Sequence, residues 1–238
     1  MMKLHVIPPA FGLRNTGPFG FKSELALRHL KQEFELVMSP DPRAAPKGKL
    51  PFLEDGGTVV ADSELILEYL DQKTGGGLYG HLTDTEIADG RAFTRLTEEH
   101  LYWAMVASRW LDDEWWPNIV TGFFASMPFP IRHIAPVVAR RQVRQTLFLQ
   151  GLGRHTQEEQ EGFTRRDLDA IAKKVGDGPF LLGDKLTAYD FGIASFLAGT
   201  IDNQPATRMG VITREYTSLV DYAERVQATV GAYCREVV

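Results

Sequence analysis

The chain has 238 residues, 44% apolar and 24% charged, with a formal net charge of −5. That length suits one large domain or two modest ones with a sizeable core. Acidic and basic residues are interspersed, which argues against an obligatory nucleic-acid or anionic-membrane partner. No run of about 18 apolar residues is present, so no membrane-spanning segment is expected. The apolar stretch Met1–Ile7 is too short for a secretory signal. The single cysteine, Cys234, excludes an internal disulfide framework and fits a reducing compartment. The expectation is a soluble cytoplasmic protein that holds no metal.

In chain order, Leu4 to Ile7 reads as a short strand closed by Pro8-Pro9. Gly12 to Gly20 is turn-rich, with Pro18 suited to a first helical turn. Phe21, Leu25, Leu27 and Leu30 give a helical stripe, Phe34 to Met38 a second strand, and Pro40 to Lys49 a proline-rich loop. A hairpin and a further helix complete a β-α-β, then β-β-α order. Thr74-Gly75-Gly76-Gly77 marks a linker, beyond which strand-like alternation nearly disappears. Leu96, His100, Trp103, Ala107 and Trp110 follow the spacing of one helix face. Ile134 to Leu152 forms another helical segment, with Arg140, Arg141 and Arg144 on one face. Thr156-Gln157-Glu158-Glu159 is a capping box opening a helix that ends before Gly176. Thr187-Ala188-Tyr189-Asp190 caps a strongly apolar helix, and Tyr216 to Tyr233 reads as one or two amphipathic helices.

The most informative stretch is Lys49-Leu50-Pro51-Phe52-Leu53-Glu54-Asp55-Gly56-Gly57, followed by Ala61-Asp62-Ser63-Glu64-Leu65-Ile66. Proline donates nothing to a sheet ladder, so inside strand sequence it marks an edge, a bulge or a cis bond. With a cis Leu50–Pro51 bond, the Leu50 N–H and C=O turn outward, free to pair with a ligand. Asp62-Ser63 opens an apolar-periodic helix whose free amides and positive dipole end hold a carboxylate. Together these features suit a short extended peptide ending in an amino-acid group, which describes glutathione. The alternative is an ordinary hairpin with Ser63 as a plain N-cap.

The order and spacing of these motifs resemble the N-terminal thioredoxin-like domain of the glutathione transferase superfamily. Gly48-Lys49-Leu50-Pro51-Phe52 and Asp62-Ser63-Glu64-Leu65-Ile66 are most similar to the branch containing failed-axon-connections and metaxin-like proteins. Phe180-Leu181-Leu182-Gly183-Asp184-Lys185-Leu186-Thr187-Ala188-Tyr189-Asp190 resembles the family's second-half motif, in which Thr187 and Asp190 form a structural N-cap. The implied fold is an α/β thioredoxin-like domain over residues 1–76, a linker over 77–88 and an all-α domain over 89–238. The resemblance also assigns Leu50 the backbone pairing with glutathione, and Asp62 and Ser63 the γ-glutamyl end. Lys49, or less directly Lys47, meets the glycyl carboxylate; Pro51 is structural, and a homodimer is implied.

Such a protein must stabilise a thiolate on glutathione. Lowering a thiol pKa from about 8.5 to about 6.5 takes roughly 2.7 kcal/mol. A helix dipole supplies about 0.3–1 kcal/mol, up to about 2 when partly buried. A hydrogen bond to the charged sulfur adds roughly 1.5–3 kcal/mol. A side-chain donor is therefore expected. Family members place Ser, Tyr or Cys there, often before a Pro-Phe pair; alignment on Pro18-Phe19 puts Gly17 at that point. Thr16 and Asn15 are the catalytic candidates, with Arg14 on the same loop, and a turn with a helix cap is the alternative. For a second substrate, Tyr102, Trp103, Arg109 and Trp110 suit a cleft for a small hydrophobic electrophile. Trp115-Trp116 lie just beyond, Phe123, Phe124, Met127 and Phe129 suit a mobile lip, and His100 reads as a core histidine. The leading expectation is a glutathione-dependent transferase; the alternative, motivated by Gly17, is a binding or adaptor protein of the same fold without turnover.

Overall fold

The computed structural model describes residues 1–39 and 41–235, so Pro40 of the proline-rich loop lies outside the described residues. Strand β1 (Met2–Val6) alternates buried Met2, Leu4 and Val6 with Lys3 and His5, as a strand covered on one face must. It is central. β2 (Phe34–Met38) pairs with it in parallel, and β3 (Phe52–Asp55) pairs on the other side antiparallel. β4 (Thr58–Ala61) closes the sheet in the order β2-β1-β3-β4. The parallel crossover is α1 (Pro18–His29), which starts at Pro18 as its fixed φ favours. α2 (Ser63–Lys73) follows β4 and packs beside α1. This is the thioredoxin-like arrangement read from the sequence.

Helices occupy the rest of the described chain. α3 (Asp84–Arg95) begins inside the segment read as linker, behind a Thr83–Glu86 capping box. A π-helical turn over Leu96–Leu101 joins it to α4 (Tyr102–Trp110). Then come α5 (Trp116–Ile119), α6 (Ile131–Gln150), α7 (Gln157–Val175), α8 (Ala188–Ile201), α9 (Arg208–Arg214) and α10 (Thr217–Val230). No helix among the described residues is long and apolar enough to cross a membrane.

α8 is buried from Ala188 to Thr200, so it is apolar on every side. α1 packs on one flank and α10 on another. One continuous core joins the sheet side to the helices, running from Met2 and Leu4 through Phe21 to Phe191, Phe196 and Tyr222. A buried ion pair, Lys22 Nζ to Glu98 Oε1 at 2.7 Å, crosses the same boundary.

The α8 N-terminus depends on one carboxylate. Asp190 accepts from Leu181 N at 2.8 Å, Thr187 N at 2.7 Å, Thr187 Oγ1 at 2.8 Å and Tyr222 Oη at 2.7 Å. The Asp190→Ala variant strands four buried donors and is expected to lose about 2–4 kcal/mol in urea unfolding, against about 1 kcal/mol for Tyr222→Phe. A loss below about 1 kcal/mol for Asp190→Ala contradicts this account.

Candidate functional site

The strand register gathers the functional segments at one end of the sheet. Phe52, the first paired residue of β3, lies opposite both His5 and Ala61. Leu50-Pro51 therefore sits beside the C-terminal end of β1, where the chain leaves for the loop to α1. Asp62-Ser63 emerges at the same end, and Asp62 N donates to Pro51 O at 3.4 Å. The Leu50–Pro51 bond is cis. Among the described residues, neither the N–H nor the C=O of Leu50 has a hydrogen-bond partner.

Asp62 is the N-cap of α2 and Ser63 its first helical residue. The Asp62 carboxylate accepts from Glu64 N at 2.9 Å, with its backbone at φ 105° and ψ 135°. Such a setting costs an L-residue about 1–3 kcal/mol. Among the described residues, the Ser63 amide and hydroxyl lack partners. An acidic carboxylate, a free amide and a free hydroxyl thus stand together at a helix N-terminus. Lys47 and Lys49 are exposed on the loop that leads into Leu50.

The loop before α1 is tightly held. Asn15 and Thr16 are both buried. Asn15 Oδ1 accepts from Gly17 N at 3.0 Å, and the Asn15 amide lies over Gly20, where a Cβ would meet Nδ2 at 2.3 Å. The Asn15 oxygen is thereby committed to the turn, while its buried Nδ2 has no hydrogen-bond partner among the described residues. Thr16 Oγ1 donates only a long hydrogen bond, 3.4 Å to Pro8 O. Gly17 N is consumed and Pro18 has no N–H; Phe19 N–H is the first amide of α1 without a partner among the described residues.

The loop's other side faces a cleft of about 260 Å³ lined by Val6, Pro9, Arg14, Asn15, Glu24, Leu36 and Met38. Arg14 is ion-paired with buried Glu24, which also accepts from Arg28 at 2.8 Å. The C-terminal segment fastens the loop from behind: Arg14 N donates to Cys234 O at 2.8 Å. The Cys234 thiol is buried and its pKa is pushed up by burial. It is structural rather than reactive.

A family model of the glutathione S-transferase N-terminal domain matches residues 18–115. The isoprene-epoxide glutathione S-transferase of Rhodococcus sp. (strain AD45) is 34% identical over 237 residues, covering 95% of this chain and 98% of that protein. The chain belongs to the glutathione S-transferase family. Failed axon connections of Drosophila melanogaster is 27% identical, over 75% of this chain and 45% of that protein. Among solved structures, apo glutathione S-transferase III superposes with a TM-score of 0.61 at 19% identity, covering 100% of this chain and 99% of that one.

In this family member the four residues expected to line one substrate cleft are divided. Positions seven apart share a helix face and adjacent positions do not, so Tyr102 and Arg109 face one way and Trp103 and Trp110 another. Tyr102 reaches the start of α1, its ring 4.9 Å from that of Phe19. Its hydroxyl has no partner among the described residues, and burial raises its pKa. Trp103 packs toward Leu147 and Leu152. Trp110 joins Trp115, Trp116, Phe123 and Phe11 in a separate aromatic cluster. Trp110 and Trp103, each partly buried, thus pack in two separate clusters. Arg109 is buried and donates to two carbonyls, Thr16 O at 3.1 Å and Gly199 O at 2.9 Å. It does not face a cleft, which corrects its reading as a substrate contact. The π-helical turn at Leu96–Leu101 also breaks the single face traced from Leu96 to Trp110, leaving His100 on Asp167 and the ring of Phe163. The seven-residue spacing of Tyr102 and Arg109 was the available signal for their shared face.

The tight seat of Asn15 is testable through coupling. Gly20→Ala is expected to displace the Asn15 amide and cost about 1–3 kcal/mol. In an Asn15→Ala background only the contact with Val6 Cγ1 at 3.0 Å remains, and the better helix propensity of Ala offsets part of its cost. A double-mutant cycle by denaturant unfolding should give a coupling of about 1 kcal/mol or more; additive losses contradict the contact.

Proposed function

We propose that the protein binds glutathione across this end of the sheet and directs its thiolate at a small electrophile. The carrying observation is the unpaired Leu50 backbone beside the free Ser63 amide and hydroxyl and the Asp62 carboxylate. An extended tripeptide pairs its cysteinyl backbone with Leu50. Its γ-glutamyl ammonium meets Asp62, its carboxylate meets Ser63 at the α2 N-terminus, and its glycyl carboxylate meets Lys49. That placement brings the sulfur toward the start of α1, with the Phe19 amide, Thr16 Oγ1 and the Tyr102 hydroxyl as donors.

The Rhodococcus relative acts on an isoprene epoxide, and the donors here suit that chemistry. The thiolate forms a C–S bond, the ring C–O bond breaks, and the released alkoxide takes a proton. Tyr102, held neutral by its raised pKa, is placed to give it. A binding protein without turnover remains the second reading, favoured by Gly17.

A homodimer is part of this proposal. The outward face of α6 exposes Ile134, Val137, Val138, Phe148 and Leu149 among arginines, with no acidic residue on the helix. Val59 and Leu65, exposed beside Glu68 on β4 and α2, form a complementary apolar and acidic face. Paired Ile134→Glu and Val137→Glu changes are expected to shift sedimentation from dimer to monomer; an unchanged dimer assigns the interface elsewhere.

Glutathione at about 100 times its Kd is expected to stabilise the protein by about 2.7 kcal/mol, read as a melting shift. Ser63→Ala and Asp62→Ala should each weaken binding about tenfold. Thr16→Ala should leave binding intact and slow conjugation of a small epoxide by about 10- to 100-fold. No melting shift in millimolar glutathione removes the basis of the reading; binding without conjugation of any electrophile favours the silent alternative.

A further inference from the structure

Arg109 is a buried cation facing no anion. Its guanidinium donates to Thr16 O at 3.1 Å and Gly199 O at 2.9 Å, and its Nε has no partner. Among the described residues it has no carboxylate within ion-pair distance. The titratable groups beside it are Tyr102 on its own helix and Cys234 from the C-terminal segment, and burial keeps both neutral. Charges farther out have their own partners: Arg14 and Arg28 share Glu24, and Arg235 meets Asp202 and Glu224. Burial brings the Arg109 pKa down to about 10, so the group stays charged at neutral pH.

A buried charge needs compensation. The carbonyls near the α8 C-terminus supply about half a unit of negative charge. The remainder is uncompensated, directly behind the loop that carries Thr16, Gly17 and the start of α1. That loop lacks a side chain at Gly17, and the Asn15 side-chain oxygen is engaged in its own turn.

We infer that Arg109 is a positioning residue for the sulfur-binding loop: it fixes the Thr16 carbonyl and sets an incompletely neutralised positive charge behind the loop, favouring the thiolate of glutathione over the thiol. The inference rests on the glutathione reading above. At the spacing of one loop thickness, a buried unit charge is worth about one pKa unit to the thiol.

The test compares wild type, Arg109→Lys and Arg109→Gln. The pKa of bound glutathione is read from thiolate ultraviolet absorbance, and kcat and KM are followed against pH with one epoxide. Arg109→Lys keeps the charge and should hold the thiol pKa within a few tenths of a unit. Arg109→Gln should raise it by about one unit and lower kcat roughly tenfold at acidic pH, converging on wild type at alkaline pH with KM little changed. An equal loss in both variants at every pH, with the thiol pKa unmoved, makes Arg109 a fold clamp alone and overturns the inference. Wild type gives a second check that needs no variant. Salt screens a buried charge little, so the bound thiol pKa should stay constant from low to high salt; a rise with salt assigns the effect to surface charges and overturns the role of Arg109. Glutathione bound with an unshifted thiol in wild type also overturns it while leaving the binding reading intact, whereas absence of binding removes both.

Discussion

The carboxylate of Asp190 gathers four donors at the N-terminus of α8, and Arg109 donates to the Gly199 carbonyl near the other end. Negative charge at the start of a helix and positive charge at its end match the helix dipole. α8 is buried on all sides, so neither end has water to satisfy it, and both must be closed by protein. α1 packs on this helix from the sheet side, and α10 packs on it from the helical side. Its packing positions α1, and the start of α1 is where the proposed sulfur site lies.

From that anchored wall the site is built with a rigid back and an open front. Arg109, Cys234 and the Asn15–Gly17 turn hold the loop from behind, using carbonyls and amides that would otherwise be unpaired in the interior. At the front, Leu50 and Ser63 keep backbone and hydroxyl groups without protein partners, and those are the groups a peptide ligand pairs with. Backbone polar groups in folded proteins are nearly always satisfied, so a free set converging on one end of a sheet is an informative departure.

The loop also explains how a glycine stands where relatives of this fold carry a reactive side chain. A Cβ at Gly17 would lie 3.1 Å from Ile7 Cδ1, and the Gly17 amide is already consumed by Asn15. On the proposed reading, thiolate stabilisation is distributed over neighbouring groups: a helix amide at Phe19, hydroxyls at Thr16 and Tyr102, and a buried charge at Arg109. Two of these four come from the helical half. A site shared in this way depends on the Lys22–Glu98 pair and the continuous core that hold the halves together.

Local pattern made much of this legible. The alternation of Met2, Leu4 and Val6, the proline at position 51, the acidic-serine pair at 62–63 and the Thr-x-x-Asp cap at 187–190 each act within a few residues. Their physics is that of ladders, caps and turns, which neighbouring residues decide. The same signal marked α3 at Thr83–Glu86, where a capping box opens a helix inside the segment read as linker.

The division of the tryptophan helix was not legible in that way. Composition put Tyr102, Trp103, Arg109 and Trp110 in one apolar cluster, yet which face meets which neighbour depends on helix register. A π-helical turn shifts that register just upstream of α4. The sequence by itself determined the order of strands and helices in the first half, several helix caps and the segments where a peptide would lie, because each follows from short-range backbone chemistry. Only the tertiary structure decided that Trp103 and Trp110 join separate apolar clusters and that Arg109 stands behind Thr16. The Arg109 placement depends on contacts with residues some ninety positions away in the chain, a separation across which no local pattern carries information.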